Sequence, residues 1–270
     1  CRHSLKPHFD YDNIFRVTKN GLDFFQDLFD YPYPYPKYEQ AFVPEYNIGA
    51  MENPGLVTFT EDFIFVSGAT EDDLEGRANT ICHEMAHMWF GDLVTMKWWD
   101  DLWLKESFAD FMGALGAIEA NGFNDAWVTF ANHRKSWAYL QDQLPTTHPI
   151  VADIPHLEAA AQNFDGITYA KGASTLKQLV SYVGFDTFIE AARVYFKRFA
   201  WGNTSLQDFL DVLNEVSGRD MQTWSQAWLQ TSGLSTLGTR RVYREDGKLQ
   251  DLYLTQQLPD TQPAGIGRPH

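Results

Sequence analysis

Cysteine and positive charge are both scarce in this sequence. It has two cysteines in 270 residues, Cys1 and Cys82, too few for the disulfide framework of a small secreted protein. No secretory signal opens the chain, so we expect a cytoplasmic protein. Lys and Arg number 21 against 36 Asp and Glu, a formal net charge of −15. Because phosphate binding depends on Lys and Arg, we expect no nucleic acid partner.

Long apolar runs, internal repeats and low-complexity segments are also missing. No run approaches the ~20 apolar residues that a membrane-spanning helix needs, so we expect no membrane partner. Apolar residues make up 44% of the chain, with 12 Pro and 19 Gly, which is an ordinary globular composition. The chain is therefore long enough and apolar enough to bury a sizeable core.

Short β-rich runs come first along the chain, and helical patterns follow. A proline-rich connector at 31–36 precedes strand-like runs at 41–43, 56–60 and 63–66. Helical periodicity is found at 14–29, 71–90, 102–120, 125–140, 171–183, 185–199 and 205–216.

Beyond Gly233 the apolar period returns to two, and Glu245-Asp-Gly separates two β-rich runs. This pattern is typical of a β-hairpin. We therefore predict an α+β fold with two parts. Residues 1–233 would form a small β-sheet and a mainly helical lobe, and residues 234–270 would begin a truncated β-domain.

Two histidines lie four residues apart on the helix that begins after Thr70. His83 and His87 therefore share one helix face, where both imidazoles can reach a single ion. A catalytic zinc site takes three protein ligands and keeps a fourth position open. Glu106, separated from His87 by eighteen residues and placed on the next helix, is the candidate third ligand. A histidine pair that serves only packing is the alternative, and the glutamate on the second helix makes it the weaker one.

Glu84 is the candidate general base of this site. It lies beside His83 on the helix and is not expected to bind the metal. A carboxylate there would hold the attacking water, accept its proton and pass that proton to a leaving group.

The joint motif resembles one family specifically. His83-Glu84-x-x-His87, eighteen residues and then Glu106 form the ligand pattern of the gluzincins, and 49–53 (Gly-Ala-Met-Glu-Asn) resembles the exopeptidase signature of the aminopeptidase N family. The similarity covers nearly the whole chain. It implies a bacterial-type zinc aminopeptidase with one Zn²⁺ per chain, a thermolysin-like catalytic domain, and peptides with a free N-terminus as substrates.

The upstream motif supplies the candidate substrate-binding residues, which are Gly49, Ala50, Met51, Glu52 and Asn53. The resemblance implies that Glu52 pairs with the substrate ammonium and blocks longer chains. The small residues before it would let the backbone approach the substrate as a sheet edge. Taken alone, the segment also fits an exposed turn. A negative field would attract peptide amines, although the net charge also serves solubility.

The resemblance also implies a catalytic tyrosine, Tyr169, which would donate to the oxyanion that forms as water attacks. The family more often has Glu or Asp where this sequence has Ala170, beside the tyrosine. Ligand histidines usually donate their second N–H to an oxygen acceptor. Asp100, Asp101 and Asp110 are the candidates, with a solvated position as the alternative for Asp110.

Family members also carry an N-terminal β-domain and a C-terminal helical domain, and neither lies in these 270 residues. We therefore expect this fragment to bind zinc and to hydrolyse peptides weakly or not at all. Two alternatives stay open: a bifunctional relative that also hydrolyses a lipid epoxide, and a peptide-binding module without turnover.

Overall fold

The computed structural model describes residues 1–259 and 267–268. Its α-helices are α1 (Tyr11–Phe29), α2 (Glu71–Ala86), α3 (Trp103–Glu119), α4 (Ala126–Thr129), α5 (Lys135–Gln141), α6 (Leu157–Gln162), α7 (Gly172–Val183), α8 (Phe185–Phe199), α9 (Leu206–Ser217) and α10 (Met221–Trp228). Its strands are β1 (Glu39–Val43), β2 (Ala50–Met51), β3 (Leu56–Thr60), β4 (Val94–Met96), β5 (Gly202–Thr204), β6 (Thr236–Tyr243) and β7 (Leu249–Gln257). The predicted mixture of α and β structure is confirmed.

The first sheet has the strand order β1-β3-β2. Strand β1 runs parallel to β3, whereas β2 is antiparallel to it, with Ala50 opposite Phe59. One edge of β2 is therefore unpaired within this sheet. The backbone carbonyl of Gly49 accepts a hydrogen bond from the Thr60 amide at 2.9 Å, which extends the pairing by one residue.

Helix α2 begins at the cap that the sequence predicts. The Thr70 hydroxyl accepts a hydrogen bond from the Asp73 amide at 3.2 Å, and the Asp73 carboxylate accepts one from the Thr70 amide at 2.9 Å. This reciprocal pair satisfies two amides that a helix N-terminus otherwise leaves free, and such a cap stabilises a helix by about 1 kcal/mol.

Helices α2 and α3 pack closely because glycines of α3 face α2. A Cβ on Gly113 would lie 3.0 Å from the Asn79 carbonyl oxygen and 3.3 Å from the Cβ of His83. A Cβ on Gly116 would lie 3.0 Å from the Cys82 sulfur. Because glycine has no side chain, α2 and α3 approach closely, and their polar residues lie near each other.

Two π-helical turns interrupt the helical lobe. One, Phe130–Arg134, joins α4 to α5, and the other, Ile167–Lys171, leads into α7. The predicted helix at 125–140 is therefore helical but not regular, and the predicted start of α7 falls at the end of the second turn. Such turns are rare and are frequent at functional sites.

Aromatic side chains fill the core beneath α2 and α3. Phe29 stacks edge-on against Phe196, with ring centroids 5.1 Å apart, and Phe90 lies 4.4 Å from Phe108. All four side chains are buried. This core fixes the segment that follows α2 against α3 and α8.

Two further predicted elements differ from the structure. Helix α2 ends at Ala86 rather than at residue 90, because the chain then opens into a wider turn with hydrogen bonds from the Asp92 amide to the His87 carbonyl and from Leu93 to Met88. Residues 63–66 form no strand. The Thr60 hydroxyl instead caps a short 3₁₀ turn at residues 61–63.

The predicted hairpin beyond Gly233 is present as β6 and β7. The division into domains at residues 1–233 and 234–270 stays a prediction, and residues 260–266 and 269–270 lie outside the described part. Both cysteines, Cys1 and Cys82, are free thiols, and the cytoplasmic location stays a prediction. Within residues 1–259 and 267–268, no helix combines the length and apolar character needed to cross a bilayer.

Candidate metal centre and cleft

Three nitrogen and oxygen atoms converge between α2 and α3. The Nε2 atoms of His83 and His87 lie 3.2 Å apart, and Glu106 Oε2 lies 3.6 Å from the first and 3.4 Å from the second. A tetrahedral ion with ligands at 2.0–2.2 Å would place its ligand atoms about 3.3–3.6 Å from each other. The spacing therefore fits a single ion of zinc-like size.

The outer nitrogens of both imidazoles face oxygen acceptors. His87 Nδ1 lies 3.0 Å from the Phe90 carbonyl oxygen, and His83 Nδ1 lies 3.5 Å from Asp110 Oδ1. A carbonyl oxygen can only accept, so Nδ1 of His87 carries the proton and its Nε2 lone pair points inward. The inward lone pair of His87 and the Glu106 carboxylate together attract a cation. The residues therefore fit a metal ion.

A second group of potential ligands, Glu52, Glu84 and His87, also has its ligand atoms within 4.8 Å of one another. His87 Nδ1, which lies 3.9 Å from Glu52 Oε1, already donates to the Phe90 carbonyl. In the set with Glu106 both imidazoles instead present Nε2 to the carboxylate, so that set is the better metal site.

The cleft around this centre is strongly negative. Its lining includes five carboxylates and two cations, namely Glu52, Glu75, Glu84, Glu106, Asp110, Lys105 and Arg134. Burial acts to lower the pKa of His83, but hydrogen bonds to Asp110 and Glu106 raise it to about 10. The field that favours a proton on this imidazole also favours a divalent cation.

Glu84 is buried beside the three candidate ligands. Burial raises the pKa of Glu84 to about 7, although His83 and His87 act to lower it. A carboxyl group with a pKa near neutrality can both accept and release a proton at working pH.

Lys105 contacts both the upstream motif and the candidate metal centre. Its Nζ lies 2.7 Å from Glu52 Oε1 and 2.9 Å from Glu106 Oε1. Burial acts to raise the pKa of Glu52, but His87 and Lys105 outweigh it and lower that pKa. Glu52 therefore stays ionised. Sequence reasoning missed Lys105, because no local pattern indicates contact between residues 53 positions apart.

Tyr169 stands beside His83 on the second π-helical turn. The two rings are nearly parallel, with centroids 6.0 Å apart. Burial raises the pKa of the Tyr169 hydroxyl, and the charge of Glu106 and a hydrogen bond to it raise that pKa further. The phenol therefore keeps its proton and remains a hydrogen-bond donor.

The cleft has a volume of about 860 Å³. The residues from the sequence motifs that line it are Gly49, Ala50, Met51, Glu52, His83, Glu84, His87, Glu106 and Tyr169. Asn53 instead turns its side chain to Thr58, donating a hydrogen bond of 3.1 Å. Its substrate contact stays a prediction.

The three candidate aspartates have different partners. Asp100 accepts from the Ile154 amide at 2.6 Å, and Asp101 accepts from the Leu206 amide at 2.9 Å. Of these three, only Asp110 faces a candidate ligand histidine, and it is buried. The solvated position considered for it is therefore wrong.

Known proteins resemble this chain over most of its length. Residues 14–228 match the Peptidase family M1 domain. Aminopeptidase N of Streptomyces lividans is 54% identical over 100% of this chain and 32% of its own length. Probable aminopeptidase 2 of Sulfurisphaera tokodaii is 39% identical over 80% of this chain and 28% of its own. Leucyl aminopeptidase of Saccharolobus solfataricus is 36% identical over 81% of this chain and 28% of its own. The chain spans about a third of the length of these relatives.

Proposed function

Because the chain belongs to peptidase family M1, we propose that it carries the active site of a zinc-dependent aminopeptidase. Its substrates would be peptides with a free N-terminus, from which it removes single residues. The observation that carries this proposal is the convergence of two imidazoles and a carboxylate beside the ionised Glu52. Three relatives that cover 80–100% of this chain are named aminopeptidases.

His83, His87 and Glu106 would hold the Zn²⁺. When bound, the ion supplies Lewis acidity that polarises the scissile carbonyl and lowers the pKa of water. The oxygen acceptors behind the two imidazoles keep both Nε2 atoms directed at the site.

Glu84 and Tyr169 would carry the proton and the oxyanion. Glu84, with a pKa of about 7, accepts a proton from the attacking water and delivers it to the leaving amine. Tyr169 keeps its proton because burial and Glu106 raise its pKa. Its hydroxyl can therefore donate a hydrogen bond to the oxygen of the attacked carbonyl as negative charge develops there.

Strand β2 would align the substrate. Its free edge at Gly49, Ala50 and Met51 lines the cleft, where an extended peptide can add as a further strand. The Glu52 carboxylate follows directly and would pair with the α-ammonium. An internal peptide bond lacks that charge, which makes the site selective for chain ends.

The fold around this site would be a thermolysin-like catalytic domain at residues 1–233, followed by the start of a β-domain at 234–270. The sheet β1-β3-β2, followed along the chain by the helices from α2 onward, supports the first of these two parts. In the same proposal, domains outside this chain would add a contact to the substrate amine and would close the site.

The first test is zinc content together with hydrolysis of alanyl- and leucyl-arylamides and of their N-acetylated forms. We expect about one zinc per chain, with cleavage weak or absent and any cleavage confined to unblocked substrates. Zinc without cleavage would support a site that needs the domains outside this chain. Cleavage of the acetylated substrates would contradict the role of Glu52, and absence of zinc would contradict the metal site.

A further inference from the structure

Arg134 lies on the π-helical turn Phe130–Arg134, facing α3. Its Nε donates to Asp110 Oδ2 at 3.1 Å, and its Nη2 donates to Asp110 Oδ1 at 2.6 Å. A planar guanidinium that grips both oxygens of one carboxylate fixes the orientation of that carboxylate as well as its charge. The π turn places the Arg134 guanidinium opposite Asp110, which lies 24 positions earlier in the chain.

The carboxylate held in this way is the acceptor behind His83. Asp110 Oδ1, which receives the shorter bond from Arg134, is also the atom 3.5 Å from His83 Nδ1. The opposite nitrogen of the same ring points to the candidate metal centre. A continuous path therefore runs from the guanidinium through the carboxylate to the inner face of the imidazole.

The two ligand histidines differ in what holds their acceptors. His87 donates to the main-chain carbonyl of Phe90 at 3.0 Å, and the fold itself fixes that oxygen. His83 faces a side-chain carboxylate, which has its own rotamers and needs a partner to hold it. Arg134 is that partner.

Arg134 is itself held by aromatic rings. Its guanidinium carbon lies 5.1 Å from the centroid of the Trp137 ring and 5.7 Å from that of Tyr169. These distances fit cation–π contacts. The Tyr169 ring in turn lies nearly parallel to the His83 ring. One guanidinium therefore contacts both Asp110, which faces His83, and Tyr169, the candidate oxyanion donor.

We propose that Arg134 is a positioning residue that acts through Asp110 to orient His83 for metal binding. This role rests on the proposed function, because it requires His83 to be a ligand. The alternative is a purely structural ion pair between α3 and the turn before α5. Such a pair, with 38% of the arginine side chain exposed, would affect folding and leave the bound metal unchanged.

Co²⁺ binding separates these roles, because its affinity and visible absorption report the ligand geometry without substrate turnover. Metal-depleted protein would be titrated with Co²⁺ as wild type, Arg134→Met, Asp110→Ala and the double variant. Arg198→Met is the matched control, since Arg198 also forms a carboxylate pair, with Glu215, and is 40% exposed. Thermal unfolding of the metal-free forms accompanies each titration.

We expect Arg134→Met and Asp110→Ala each to weaken Co²⁺ binding by about 10- to 100-fold and to alter the visible band. The double variant should be no weaker than Asp110→Ala, because the two residues act in series. Arg198→Met should bind as wild type does. Arg134→Lys, which keeps the charge without the fork, should recover only part of the affinity, and it carries the test if Arg134→Met fails to fold.

Wild-type affinity and spectrum in both Arg134 variants would overturn this role and leave the proposed function intact. Additive losses in the double variant would also overturn it, because Arg134 would then act independently of Asp110. Failure of the wild type to bind Co²⁺ would overturn both this role and the proposed metal site.

Discussion

Substitution of Gly172 by alanine should destabilise the protein and displace Tyr169 in the candidate site. Gly172 begins α7 directly after the π turn that carries Tyr169, and a Cβ there would lie 1.9 Å from Ser107 Oγ and 2.7 Å from Ser107 Cβ. Rotation of the serine hydroxyl relieves only the first of these contacts. Carbon atoms pack at about 3.5–4.0 Å, so α7 and α3 must separate by about 1 Å.

The magnitude follows from two costs. Overpacking of this size destabilises a core by about 1–3 kcal/mol. Separation of the helices also stretches the hydrogen bond from Ser107 Oγ to the Thr168 carbonyl, 2.6 Å long, which contributes about 1 kcal/mol. We therefore expect Gly172→Ala to lower the free energy of unfolding by about 2–4 kcal/mol. A displacement of Tyr169 by about 1 Å should reduce kcat by about 100-fold.

Urea unfolding measures the stability, and turnover of leucyl-arylamide measures kcat. Gly76→Ala in α2 is the matched control. A Cβ there meets nothing within 4 Å, so this variant should gain up to about 1 kcal/mol from helix propensity. Ser107→Gly combined with Gly172→Ala removes both clashing atoms and should restore part of kcat. Wild-type stability and kcat in Gly172→Ala alone would refute the packing argument.

Three further changes test other parts of the molecule. Glu84→Gln should retain about one zinc per chain and lower kcat by at least about 100-fold, because an amide cannot accept the proton of water. Metal analysis and arylamide kinetics check this, and near wild-type turnover would exclude Glu84 as the base. Lys105→Met should destabilise the metal-free protein by about 3 kcal/mol, since Glu52 and Glu106 lose the cation that pairs with them. Added Zn²⁺ should recover part of that loss in thermal unfolding, and an equal loss with and without Zn²⁺ would contradict the charge argument. Burial lowers the pKa of Lys171 from 10.5 to about 8, although Asp142 lies 2.7 Å away and acts to raise it. Between these two pH values the unfolded state therefore binds more protons, and the free energy of unfolding should rise with pH, by about 1 kcal/mol per unit, relative to Lys171→Met. Urea unfolding at several pH values in this window measures the difference, and a difference that falls as pH rises would refute the assignment.

Local signals in the sequence are sufficient to predict where the candidate ligands lie on their helices. The cap at Thr70 fixes where α2 begins, and the four-residue spacing then places His83 and His87 on one face. The next helix was predicted at 102–120 and is observed as Trp103–Glu119, so Glu106 falls in its first turn. Each of these inferences depends on contacts within one helix, where propensity and periodicity are strongest.

The side chains that support these ligands were not predictable in the same way. Asp110 was a candidate acceptor, but its partner Arg134 lies on a π turn, and neither helical periodicity nor turn residues predict such a turn. The strand expected at residues 63–66 failed for a related reason. Of its four apolar residues only Ile64 is buried, and the Phe63 carbonyl accepts a hydrogen bond from Arg77 of α2 at 3.1 Å rather than from a neighbouring strand.

Lys105 accounts for the orientation of the Glu106 carboxylate, which directs one oxygen at the candidate metal centre. Glu106 has two oxygens, and the structure divides them: Oε1 lies 2.9 Å from Lys105, whereas Oε2 faces the imidazoles of His83 and His87. The same ammonium pairs with Glu52 at 2.7 Å. A lysine beside a metal ligand would ordinarily oppose a divalent cation by charge repulsion. Here it compensates Glu106 through the oxygen that does not face the imidazoles, so the Oε2 atom of Glu106 would be left for the ion. At Glu52 the ammonium contacts Oε1, the same oxygen that lies 3.9 Å from His87 Nδ1.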